Sequence, residues 1–203
     1  NELFAYTFRL FGRGEKMLKR TPLYAEHLKL KARMVDFAGF EMPIQYSSII
    51  SEHMAVRERA GIFDVSHMGE ILVKGQDAGD FLNGILTNNI NKIKEGKVQY
   101  TIMTYENGTT VDDLLVYRLS QDEYLLVVNA ANRLKDYAHI KDFAPHGVEV
   151  EDVSDKYCLI AIQGPESAKF IVKLLSETTL KPFSFETLEY NGSNLILSRT
   201  GYT

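Results

Sequence analysis

Hydrophobic and polar positions change period several times along the chain, and the clearest change falls between Gly96 and Asn129. Three runs rich in aromatic and β-branched residues, Val98–Tyr105, Val111–Leu119 and Tyr124–Asn129, are separated by turn chemistry there. They predict an antiparallel meander. Asn107-Gly108 supplies the positive-φ pair of a tight hairpin between the first two strands. Straight after that turn come two adjacent carboxylates, Asp112 and Asp113. Neighbours on a strand point to opposite faces, so one of the pair can meet solvent while the other faces a core or a pocket. A carboxylate among Tyr100, Met103, Leu114, Leu115 and Tyr117 is costly unless it has a partner. The pair is open to two readings: acids of a solvated turn, or one placed acid in an aromatic-lined pocket.

Before the meander, Thr21 and Pro22 suit the cap and first position of a short helix within Lys19–Leu30. Met34–Phe40 reads as a strand and a turn, and Pro43 breaks the chain ahead of a helix over Ser47–Arg59 that Gly61 ends. After Ile62–Met68 come a strand, Glu70–Val73, and a helix, Asp77–Leu86, with Phe81, Leu82, Ile85 and Leu86 on its apolar stripe. Beyond the meander, Ala130–Phe143 is a second amphipathic helix carrying Leu134, Tyr137, Ala138 and Ile140, and Val148–Val153 returns as a strand. This order predicts an α+β fold, antiparallel sheet with flanking helices. There is one internal echo: Val73–Ala78 with Phe81-Leu82 and Ile85-Leu86 parallels Ile162–Ser167 with Phe170-Ile171 and Leu174-Leu175. Two similar β-turn-α units in two subdomains are expected. Ser184–Tyr190 and Asn194–Ser198 form strands around Asn191-Gly192.

Composition adds exclusions. With 45% hydrophobic and 25% charged residues the 203-residue chain is globular in type, and its net charge of −4 without a long basic run argues against nucleic acid. No apolar run is long enough for a bilayer, so no membrane partner is expected. The one cysteine, Cys158, lies in the apolar YCLIAI run and reads as core filler in a reducing compartment. Residues 1–16 differ in character from the rest of the chain and read as a leader or extension ahead of Met17. The sequon matches at Asn107 and Asn191 sit in hairpin turns and read as incidental.

General catalytic signatures (GxSxG, GxGxxG, P-loop, HExxH) are absent. Asp64, Ser66 and His67 are too close along an extended segment to form a triad, and His53 has no HxxxH or CxxC companion, so no metal site is expected.

Seven segments nevertheless carry a resemblance: KRTPLYAEH, MVDFAGFEMPIQY, EHMAVRERAGIFDVSHMGE, NGTTVDDLLVY, VVNAAN, LIAIQGP and SRTGYT. In this order, from Lys19 to Thr203, they resemble the T protein of the glycine cleavage system, the aminomethyltransferase family. The resemblance implies a folate-binding fold of three parts in a cloverleaf. Residues 17–66 plus 154–203 would form the first part and 67–153 the second, with a C-terminal barrel-like third part beyond Thr203. It implies that an aminomethyl group on the dihydrolipoyl arm of the lipoylated H protein is the substrate, that tetrahydrofolate accepts the carbon as co-substrate, and that ammonia is released. No metal is implied, and the location would be cytoplasmic, or the mitochondrial matrix in a eukaryote. By the same resemblance Asp113 is the catalytic aspartate, and Met68, Tyr100, Asp113, Asn129 and Tyr202 contact folate. Asp112, on the opposite face, is expected to matter less. Phe40 stands where the family usually has tryptophan, and the family's glutamates after GYT lie beyond Thr203. Two other readings share the architecture: the folate module of a dimethylglycine or sarcosine dehydrogenase, and a non-enzymatic folate-binding protein of iron–sulfur assembly. The first lacks its dinucleotide fingerprint here, and the second its KGCYxGQE-like cysteine.

Overall fold

The computed structural model describes residues 17–175 and 180–201. The expected leader 1–16 and Tyr202 lie outside them.

A five-stranded sheet carries the candidate site. β4 (Gly69–Lys74), β5 (Val98–Thr104), β6 (Thr110–Ser120), β7 (Glu123–Val128) and β8 (Glu149–Asp152) lie in the order β5-β6-β7-β4-β8. Every neighbouring pair is antiparallel, so the predicted meander is present and β4 and β8 extend it. The first hairpin departs from the expected tight turn. Only Gly108 has positive φ, and the connection is a longer loop in which Asn107 Oδ1 accepts from the Thr109 amide and hydroxyl. The second is the expected tight turn: Asn191 and Gly192 both have positive φ between β10 (Ser184–Tyr190) and β11 (Ser193–Arg199).

Alternation gives the sheet two unlike faces. One buries Ile71, Val73, Met103, Leu114, Val116, Leu126 and Val128 under α3 (Ala78–Ile85) and α4 (Arg133–Phe143). α3 follows its predicted stripe, with Ala78 and Leu82 fully buried. α4 follows its stripe only in part: Tyr137 and Ile140 pack on the core, but Leu134 and Ala138 are exposed and Asp136 is buried. The inward face is turned from the expected stripe because a buried acid, Asp136, occupies one of its positions.

On the other face Val98, Leu115, Tyr117, Leu125 and Val127 pack with Phe185 of β10. The Tyr117 ring lies 5.4 Å from Phe185, and its hydroxyl meets Ser198 Oγ at 3.1 Å. The β10–β11 hairpin therefore covers the Val98–Tyr117 end of this face. Tyr100 and Ile102 farther along β5 remain exposed.

The remaining elements are smaller. α1 (Tyr24–Lys29) starts at Leu23 rather than at Thr21, whose hydroxyl donates to Asp64 instead of capping the helix. β1 (Arg33–Phe37) pairs with β2 (Phe40–Gln45), and Pro43 lies within β2 rather than breaking the chain there. The outer edge of β2 is bridged by Lys19 at Phe40, ahead of Pro43, and an edge strand can carry a proline, which has no N–H to pair. α2 (Ile49–Glu58) is capped by Ser48 and ends at Arg59; Gly61 opens a strand, β3 (Gly61–Asp64), which pairs with β9 (Ile160–Gln163). Cys158 precedes β9 and is exposed, so it is not core filler.

The internal echo is real in local structure. β4 leads through Gly75 into α3, and β9 leads through Gly164 into α5 (Ser167–Leu175). Gly75 has φ 140° and Gly164 φ 109°, and a Cβ on Gly164 would lie 2.5 Å from the Val56 carbonyl oxygen. Only glycine meets both demands.

Candidate active site

β6 begins with the two carboxylates, and the pleat sends them apart. Asp113 shares the open face with Leu115 and Tyr117, while Asp112 shares the helix-covered face with Leu114 and Val116. Neither is an acid of a solvated turn: Asp112 is 5% exposed and Asp113 is half-buried.

Three of the predicted residues meet. The Tyr100 hydroxyl on β5 donates to Asp113 Oδ2 at 2.9 Å, and Asn129 Nδ2 reaches Asp113 Oδ1 at 3.1 Å. Asn129 lies one residue beyond β7, where the Leu115↔Val127 register carried two residues on sets it opposite Asp113. Its Nδ2 also faces the Asp113 carbonyl at 3.1 Å and Asp112 Oδ1 at 3.0 Å. Three oxygens around one atom fix the amide orientation, because only its nitrogen can donate. The Gly69↔Val128 register carried one residue on sets Met68 beside Asn129, and Met68 packs half-buried on the Leu115–Val127 cluster. Tyr202 lies outside the described residues.

The result is a wall rather than an enclosed pocket. Tyr100 and Ile102 are 41% and 36% exposed, next to the half-buried carboxylate of Asp113. Two clefts on the molecule, beside Lys74–Glu149 and beside Arg59–Phe170, lie elsewhere. The hydrogen bond that the Tyr100 hydroxyl donates to Asp113, and then partial burial, raise the phenol pKa, so Tyr100 stays a donor.

Sequence reasoning missed two acids around this wall, Glu70 and Asp136. Glu70, paired in register with Val127, is 3% exposed, and its Oε1 has no hydrogen-bond partner among the described residues. Burial pushes its pKa up to about 7, against the pull of Arg133 and with Asp152 adding to the rise. Asp136, on α4, is the other, and Asp112, expected to matter less, is buried beside it. The available signal was an acid at four residues' spacing from Ile140 on the helix after the meander.

The Asp64-Val65-Ser66-His67 run forms no triad. Asp64 accepts from the Thr21 hydroxyl, pairs with His27 Nε2 at 2.8 Å and accepts the Ser66 amide at 2.9 Å. His67 is buried with its ring against Phe37 and Phe40, and burial lowers its pKa. Among the described residues no group of three or more His, Cys, Asp or Glu is placed to hold a metal ion.

A sequence family described as the GCVT N-terminal domain matches residues 23–203. The chain belongs to this family. Aminomethyltransferases from Geobacillus thermodenitrificans and Lysinibacillus sphaericus are 50% and 51% identical to it over 190 residues, 92% of this chain and 52% of each relative. The crystal structure of glycine cleavage system aminomethyltransferase T from Bartonella henselae superposes with a TM-score of 0.78 at 33% identity. That match covers 83% of this chain and 47% of the other. The α+β fold with antiparallel sheets is thus that of the GCVT family, and this chain spans about half the length of the curated relatives it matches.

Proposed function

We propose that this chain forms the one-carbon acceptor half of an aminomethyltransferase of the glycine cleavage system. The reaction moves the one-carbon unit from aminomethyl-dihydrolipoyl H protein to tetrahydrofolate and releases ammonia. The observation that carries the reading is the convergence of Tyr100 and Asn129 on Asp113, in a chain of the GCVT family. Names of relatives support the activity, and the site supports the chemistry.

The wall fits a flat nitrogen heterocycle such as a pteridine. Tyr100 and Ile102 offer exposed aromatic and apolar surface, and Asp113 adds one fixed acceptor, the pattern expected of a small-molecule site. Met68 would border the same surface, and Tyr202 is proposed as a further contact. In this role Asp113 accepts a proton from, or orients, a reacting nitrogen, and its charge stabilises positive charge that develops beside it. Tyr100 and Asn129 hold the carboxylate by two hydrogen bonds, so its direction is set before substrate arrives. The partners are lipoylated H protein and tetrahydrofolate, with no part for a metal. Among the described residues no helix is long and apolar enough to cross a membrane. A cytoplasmic location is part of the proposal, supported by the bacterial sources of the relatives.

The test is turnover by the whole protein with aminomethylated H protein and tetrahydrofolate. Ammonia and methylenetetrahydrofolate should appear in equal amounts, and Asp113→Asn should abolish most of the rate. Wild-type turnover that Asp113→Asn leaves untouched would remove the assignment.

A further inference from the structure

Behind the wall stands a pair of carboxyl groups that the proposed reaction does not touch. Asp112 accepts from Asn132 Nδ2 at 2.8 Å, from Asn129 Nδ2 at 3.0 Å and from the Asn129 amide at 3.3 Å. Asp136, in the first turn of α4, is fully buried beside it. Neither Asp136 oxygen receives a hydrogen bond from a donor among the described residues. The nearest cation is Lys135, whose Nζ is 3.8 Å from Asp136 Oδ1 and donates instead to the Val111 carbonyl. An ionised carboxylate so placed would be buried without compensation, a cost that protonation avoids. A protonated Asp136 becomes a donor, and the acceptor facing it is Asp112.

We propose that Asp112 and Asp136 hold one proton between them, as a carboxylate and a carboxylic acid, and that this pair fixes Asn129 and through it the direction of Asp113. Asp112 and Asp136 are then positioning residues for the reaction, a role that rests on the reading of Asp113 above. The order of contacts is Asp136 to Asp112, Asp112 to Asn129, and Asn129 to Asp113.

The electrostatics agree in direction. Burial, then the bond to Asp112 and its charge, push Asp136 up to about 8, while Lys135 pulls the other way. Burial also pushes Asp112 up, but hydrogen bonds from Asp136, Asn129 and Asn132 outweigh it and leave that pKa lowered. The groups facing the pair are thus Lys135, Asn129 and Asn132, with Asp113 held one contact away. The plain alternative is that Asp136 is a helix-end acid acting by its charge on the α4 dipole. The two differ in what asparagine does. An amide donates to Asp112 as an acid does, but it carries no charge.

The experiment uses the whole protein and two readouts. The first is infrared and carboxyl-carbon NMR of aspartate-labelled wild type at pH 7. One carboxylic acid signal is expected, lost in Asp136→Asn and retained in Asp113→Asn. The second is kinetics: Asp136→Asn should stay within about threefold of wild-type kcat, and Asp136→Leu should fall roughly tenfold with little change in folate KM, the scale of one lost charge-assisted hydrogen bond. The kcat of wild type should also fall above about pH 8, and that limb should be absent in Asp136→Asn. A wild type with every aspartate ionised at pH 7 overturns the shared proton, whatever the variants do. An Asp136→Asn as poor as Asp136→Leu, or an Asp136→Leu with wild-type kcat, overturns the positioning role. If Asp113→Asn proves fully active while the acid signal persists, the assignment of Asp113 has failed and the shared proton has not.

Discussion

Tyr100 and Asp113 lie on adjacent antiparallel strands and are joined by a 2.9 Å hydrogen bond from the phenol to the carboxylate. They are not direct cross-strand partners, since Tyr100 opposes Leu115 and Asp113 opposes Ile102. The contact is a diagonal one, within reach of a tyrosine but of few shorter side chains.

Replacing Asp113 by asparagine keeps the size and removes the charge. Loss of charge stabilisation should cost about 3–4 kcal/mol of barrier, roughly 10²–10³ in turnover. The thermal midpoint should change little because this face is open. Asp112→Asn should differ in kind. Facing away from the wall suggests that Asp112 matters less, but it faces into buried structure and holds Asn129 and Asn132. Its loss should cost about 1–3 kcal/mol of stability as well as rate. Paired melting and turnover measurements on both variants check this; a silent Asp112→Asn would contradict it.

Tyr100→Phe removes one donor to Asp113 and keeps the ring. A single hydrogen bond to a charged group is worth about 1.5–3 kcal/mol, so turnover should drop between ~10-fold and ~100-fold. Affinity for tetrahydrofolate should drop less, because the apolar surface survives. Steady-state kinetics with folate varied would separate the two, and an effect confined to KM would show that Tyr100 binds without orienting Asp113.

Glu70 should make stability fall as pH rises. Its folded pKa lies above the unfolded one, so its contribution is fully present below the unfolded value and is lost as pH climbs through the folded value. A rise from 4.5 to about 7 corresponds to about 3 kcal/mol, lost between those limits. Glu70→Gln should flatten that part of the curve. Asp64 and Asp152 act in the opposite sense: their lowered pKa values give stability that disappears as pH falls. Urea titrations at a series of pH values test this, and identical slopes for wild type and Glu70→Gln would refute the Glu70 part.

Gly164→Ala should destabilise by more than about 2 kcal/mol. Its φ of 109° is strained for alanine, and the added carbon meets the Val56 and Arg59 carbonyls at 2.5 and 2.7 Å. Gly108→Ala, also at positive φ but with nothing within 4 Å, should cost only about 1 kcal/mol. Denaturant midpoints of the two variants give the comparison, and equal losses would mean that close packing at Gly164 contributes nothing.

Three runs rich in aromatic and β-branched residues, Val98–Tyr105, Val111–Leu119 and Tyr124–Asn129, with turn residues between them, are enough to read the meander. Asp113 and Asn129 lie within two of the seven family-like segments, and the two β-Gly-α units show as a repeated spacing. Residue letters do not reveal what lies behind those side chains. β3 is invisible locally because its partner, β9, is nearly a hundred residues away in the chain, and Pro43 in β2 is acceptable only on a strand with a free edge. In α4 a buried acid hides within what looks like the polar face, so Leu134 takes its place in the pattern. Hydrophobicity counts Asp136 as a surface residue; only the packed helix removes its solvent, and only Asp112 across the interface gives its proton somewhere to point. A pattern of polar and apolar letters encodes the average preference of each side chain for water. The cost of a particular burial, and the partner that offsets it, exist only once distant parts of the chain have met.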